Sequence, residues 1–251
     1  MIARAFAARS SALRRPLPGG LFMRELLVNA TRPRALALKM AFPLVLTVPL
    51  VAAHAPTFWA GMLLTVLCAM VGAVGAGMTA ARARESGLMV RLTLTPQPPW
   101  RLLCSWVGAG ALVDLAQLLP ALIVVVALAP TTVATGVALI IAVAAVLIVA
   151  NSLGFAVSAL GGGPGEVLLD TVVLLAPLLF LGGLFTGVPA DGWRAAAASV
   201  DPFAYVHAAF IAALGGTPSF SSGAVVLAAV CSAVAGLIVV ALVAPLVLRR
   251  R

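Results

Sequence analysis

Charge is what this chain has least of. Only 9% of its 251 residues are Asp, Glu, Lys or Arg, while 63% are hydrophobic. A soluble globular domain carries roughly 25% charged residues. So few charges cannot cover a water-facing surface, which excludes a soluble enzyme or scaffold and makes lipid the main solvent. Lysine occurs once, at Lys39. A Walker-type phosphate loop needs Gly-Lys-Ser/Thr, so the run Gly161, Gly162, Gly163 is no nucleotide site. The two histidines, His54 and His207, fall in expected outer loops with no carboxylate cluster and no second ligand at metal spacing. Neither a catalytic set nor a metal site is expected. Cys68, Cys104 and Cys231 show no CxxC spacing and read as small buried hydrophobes. Strand-like alternation is missing, which argues against a transmembrane barrel. No apolar run precedes Pro16, which excludes a secretory signal.

What is present is a series of long apolar runs. A membrane-spanning helix needs about 20 mostly apolar residues. That ruler gives six spans, at about 36–53, 57–80, 102–128, 132–159, 166–188 and 222–247. The fold class expected is an all-α integral membrane protein of six transmembrane helices.

Basic residues orient the spans. Eight of the 16 Lys and Arg lie in the first 39 residues, four (Arg82, Arg84, Arg91, Arg101) lie between spans two and three, and three end the sequence at Arg249 to Arg251. Arg194 alone falls on the other side. The positive-inside rule puts both termini and the loop over 81–101 in the cytoplasm. The net charge of +9 then reads as topology and contact with anionic lipid, not nucleic-acid binding.

Residues 1–20 read as a disordered basic tail of a prokaryotic cell-membrane protein, although their Arg, Ser and Ala content without acids also fits a transit peptide. Over 21–31, apolar residues at near-helical spacing with Arg24 and Glu25 elsewhere on the wheel suit a helix lying in the interface, broken from the first span at Pro33. Glu166 and Asp170 sit in the first turns of span five, where the helix dipole favours negative charge. Residues 189–221 are too apolar for a plain loop and too interrupted for a span, so short half-inserted outer helices are expected.

Within the bilayer, Asp114 lies about 18 Å along span three at 1.5 Å per residue, with Gln117 on a neighbouring face. An acid at that depth must face a partner, a cavity or water. It is either a translocation-path residue or one end of a hydrogen bond to Asn151 or Ser152 of span four. Gly72, Gly75, Gly77 and the pair Gly183 and Gly187 permit close helix contact.

Three stretches carry a family resemblance. The first is Arg84-Glu85-Ser86-Gly87-Leu88-Met89-Val90-Arg91-Leu92 followed by Thr95-Pro96. The second is Val200-Asp201-Pro202-Phe203-Ala204-Tyr205, and the third is PLLFLGGLFTGVP in span five. Their order resembles the permease subunit of an ABC-2 type transporter of the type V, ABCG-like exporter fold, over about 21–251. The resemblance implies an N-terminal interfacial helix, a cytoplasmic coupling helix within 82–97 and outer re-entrant helices before the last span. It implies that Arg84, Glu85, Gly87, Arg91 and Pro96 meet a separate cytoplasmic ATPase, present in two copies, which binds ATP and Mg²⁺ in place of any cofactor here. Glu166 and Asp170 would form a second cytoplasmic contact. Asp114, Gln117 and Asn151 would lie on the path, and Asp201, Pro202 and Tyr205 in the outer region. The implied assembly holds a second copy of the chain or a paralogous half. The implied activity is export of a hydrophobic or amphipathic molecule such as a drug, antibiotic or lipid. A stand-alone ion-coupled carrier using Asp114 and a membrane-embedded enzyme or assembly factor are the competing readings.

Overall fold

In the computed structural model, residues 20–31, 33–129 and 131–249 are described, and they form ten helices. The predicted basic tail lies outside the described residues, apart from Gly20. Helix α1 covers Leu21–Ala30 and α2 Pro33–Ala52. Helix α3 covers Thr57–Glu85, α4 Leu88–Thr93, α5 Pro99–Leu128 and α6 Val133–Ser158. Helix α7 covers Pro164–Leu181, α8 Gly192–Val200, α9 Pro202–Ala213 and α10 Ser222–Arg249. Among the described residues there is no strand.

Five helices, α3, α5, α6, α7 and α10, are long and apolar enough to cross a membrane. The apolar part of α2 is shorter, Leu36–Ala52, about 26 Å at 1.5 Å per residue and near the lower limit for a crossing. Counting it gives the six predicted. Helices α8 and α9 meet at 82°, the broken outer element expected over 189–221. Asp201 makes the corner: its carboxylate caps α9 by accepting from the Phe203 N–H at 2.8 Å, and Pro202 starts the helix, where a missing N–H costs nothing.

The bundle is built around α3 and α6, which pack more extensively than any other pair. Small residues bring them together. An added Cβ at Gly72 would lie 2.7 Å from Ala150 Cβ, and one at Gly154 would press on the Ala73 carbonyl oxygen. In lipid, where apolar burial drives little association, such close approach supplies the attraction.

Two apolar cores stack along the bundle. One joins Leu64 to Ala73 of α3 with Leu118 to Val125 of α5, Leu139 to Ala150 of α6 and much of α9. The other, at the end carrying Arg82 and Arg91, joins Ala76 to Ala83, Met89, Leu92, Leu102 to Val107, Phe155 and the end of α10.

Three expectations are corrected. The fifth span ends at Leu181, not near 188. Gly183 and Gly187 adopt φ of +76° and +77°, turning the chain where an uninterrupted apolar sequence suggested helix, so that pair is not a helix-packing seam. Within 82–97, α3 continues to Glu85, Gly87 turns the chain with φ +70°, and α4 holds Leu88–Thr93. His207 is not in a loop but buried within α9, its Nε2 3.1 Å from the Phe58 carbonyl oxygen.

Candidate functional site

Two groups of polar residues stand out against this apolar frame. The first is the layer between the two cores. Asn151, 1% exposed, donates from Nδ2 to Asp114 Oδ2 at 2.8 Å and to its own helix at Leu147 O at 2.9 Å. Ser152, the other partner considered, instead donates to Ile148 O at 2.7 Å. Gln117 is buried too, and its Nε2 has no hydrogen-bond partner. An unpartnered amide N–H in so apolar a place is costly.

Beside this layer lies a cavity of about 80 Å³ walled by five helices. Glu25 and Asn29 of α1, Lys39 of α2 and Thr79 of α3 line it with Asp114, Gln117 and Asn151; Trp106 and Phe155 add two rings. The rings touch, with centroids 5.1 Å apart. Burial of α1 against the bundle pushes the Glu25 carboxyl above its usual range, with Arg24 beside it pulling back. Of these residues, sequence reasoning singled out Asp114, Gln117 and Asn151 as a set. Glu25, Asn29 and Lys39 join because α1 and α2 fold back over α5, a contact between segments some 80 residues apart. The signal available for Lys39 was its being the only lysine, placed near the end of an apolar run.

The second group lies at the basic end. Arg84 donates to the Ser158 carbonyl oxygen at the C-terminus of α6, where orphan carbonyls and the helix dipole favour a cation. Ser86 Oγ donates to Ala83 O at 3.0 Å and closes the end of α3. Beyond Gly87, α4 buries Met89 and Leu92 and exposes Val90, Arg91 and Thr93. Glu85 is exposed, and one carboxylate oxygen lies 3.9 Å from where a Cβ on Gly163 would stand. Glu166 is exposed in the first turn of α7 and curls over Gly162, whose φ is +88°. The α3–α4 elbow and the α6–α7 turn are therefore one surface. Arg84 faces into it as an internal tie, whereas Arg82, Glu85, Arg91 and Pro96 are exposed. Asp170 is half-buried one turn along α7.

At the far end, Tyr205 donates to Ser199 O at 2.6 Å and stacks on Phe220 at 4.5 Å. Arg194 donates to Thr186 Oγ1 at 2.7 Å with its guanidinium over the Phe180 ring. These contacts strap α8 and α9 to α7 and to the segment before α10. Among the described residues, no three His, Cys, Asp or Glu side chains gather as a metal site would require.

A helical bundle of this hydrophobicity, with a polar inner layer and a charged end surface, is a multi-pass membrane protein in outline. The family model described as ABC-2 family transporter protein matches residues 42–246, from the middle of α2 to near the end of α10. The chain belongs to the ABC-2 family and is the membrane subunit of an ABC transporter, a family whose permeases work with an ATP-binding subunit. No curated protein and no solved structure matches it.

Proposed function

We propose that this chain is the permease half of an exporter of the type V fold, driven by a separate cytoplasmic ATPase that docks on residues 82–97. The observation that carries the reading is the joined surface of the α3–α4 elbow and the α6–α7 turn. Two loops separated by about 70 residues, each with an exposed acid (Glu85 and Glu166), converge at the basic end. A docking surface must be stiff to transmit force. Here the elbow is pinned by Arg84 to the end of α6 and by Met89 and Leu92 to the second core. Two ATPase subunits closing on ATP and Mg²⁺ would push this surface and tilt α3 and α6 together.

In this reading both termini and the elbow are cytoplasmic and the membrane is a prokaryotic cell membrane; the positive-inside rule supports that orientation. Six spans make half a permease, so the path runs between two copies of the chain or between it and a paralogous half. Its apolar walls suit a hydrophobic or amphipathic cargo.

The test is co-purification of the tagged chain from its native membrane in mild detergent, with vanadate-sensitive ATP hydrolysis as the readout. Activity that comes down with the wild type, and falls or loses coupling to transport in Glu85→Ala and Glu166→Ala, supports docking on this surface. Transport that survives ATP depletion but is lost in Asp114→Asn would overturn it in favour of an ion-coupled carrier.

A further inference from the structure

Helix α2 leans on α5 and touches α3 only sparingly. Two separate hollows, with no wall residue in common, follow one another along the cleft between α2 and α3. Toward the basic end lies the polar cavity described above, bordered by Lys39 on α2 and Gly75 on α3. Beyond Phe42 of α2 and Met70 of α3 lies an apolar hollow of about 530 Å³, walled by Val45, Leu46, Leu63 and Val66 among others. Phe42 follows Lys39 by three residues and Met70 precedes Gly75 by five. The two hollows therefore adjoin within about 5–8 Å along the helices.

We propose that this cleft binds an amphiphile with a protonated amine head and an alkyl tail, the head at Asp114 and the tail between α2 and α3. The head is assigned to Asp114: Glu25 has Arg24 beside it, and of the two acids lining the cavity with Lys39, Asp114 is the one within the membrane span. Asn151 engages only one oxygen of Asp114, which leaves Oδ1 free to accept from a cation. Trp106 and Phe155 supply the aromatic surface that organic cations favour. About 80 Å³ admits the head and little more, so the rest of the ligand lies in the apolar hollow. Lipid tails are as apolar as leucine, so the tail hollow contributes shape while the head supplies discrimination. That the bound amphiphile is the cargo rests on the export reading. Its binding does not, so the test uses the chain without its ATPase.

Equilibrium binding of radiolabelled dodecylamine and dodecanol is measured on the purified full chain in phosphatidylcholine nanodiscs. Saturable dodecylamine binding at least tenfold tighter than dodecanol is expected, falling about tenfold in Asp114→Asn. In case that variant folds poorly, Gly75→Leu provides an independent block. A Cβ there meets nothing within 4 Å, so the side chain is accommodated at the mouth and should abolish amine binding. Discs containing phosphatidylethanolamine identify the source: competition assigns the head to a membrane lipid, and its absence assigns it to free amines. Equal binding of amine and alcohol, or amine binding unchanged in both variants, would overturn the proposal. If ATPase activity still co-purified with the chain, that result would leave the export reading standing.

Discussion

Gly154→Ala adds one methyl group to the seam between α3 and α6. The new Cβ would press on the Ala73 carbonyl oxygen and lie 2.8 Å from Gly77 N, where ordinary contact begins at 3.4 Å. The shortfall at Gly77 N is 0.6 Å, and both obstacles are backbone, so no side chain can rotate away. The two helices must separate, and they form the most extensive packing in the molecule. Overpacking a close-fitted core costs typically 1–3 kcal/mol; with a rigid backbone obstacle, about 3 kcal/mol is expected. At about 2–4 °C per kcal/mol for a chain of 150–250 residues, the unfolding midpoint in dodecyl maltoside should fall by about 6–12 °C. Gly75→Ala is the control on the same seam helix. Its Cβ meets nothing within 4 Å, and relief of glycine's helix penalty should stabilise by about 0.5–1 kcal/mol. The two alanines thus move the midpoint in opposite directions. Equal midpoints for the two variants would refute the claim that backbone approach at Gly154 holds α3 to α6.

Other expectations concern single contacts. Arg84→Ala removes the tie between elbow and α6 and should cost about 1–2 kcal/mol, seen as faster proteolysis near Gly87 in membrane vesicles. Gly87→Ala forces a Cβ into φ +70° and should cost about 1 kcal/mol, with ATPase coupling lowered more than stability if the elbow is the docking surface. Asp114→Leu strips the acceptor from Asn151 and should destabilise by about 1–3 kcal/mol, whereas Asp114→Asn keeps an acceptor and should lose less; thermal midpoints in detergent compare them.

The spans were legible because lipid demands long apolar runs, and α3, α5, α6 and α10 answer that demand directly. Asp114 was legible for the converse reason, since an acid in such a run stands out, and Asn151 was one of only two polar partners within reach. The end of α7 was not legible. PLLFLGGLFTGVP carries no polar mark at Leu181, and the break lies in the left-handed glycines that follow. Close packing was half legible: Gly72 and Gly77 do approach α6, Gly75 does not, and the tightest approach is at Gly154, with Ala150 before it at small-x-x-x-small spacing. Glu25 and Lys39 escaped notice because their place in the cavity depends on how α1 and α2 fold back, which no local pattern encodes.

Prolines interrupt α2 at Pro43 and Pro49, α5 at Pro120, α7 at Pro177 and α10 at Pro245, but α3 and α6 have none. Helix α3 is 29 residues long, about 43 Å at 1.5 Å per residue, and runs from Phe58, in contact with His207, to the elbow at Gly87. It is a stiff strut held beside a second stiff strut, among neighbours that can flex. A displacement of the elbow therefore has a proline-free helix along which to reach the opposite end. The far-end helices α8 and α9 would register the event at the other end of the molecule at the same moment, not after a relay through intermediate steps.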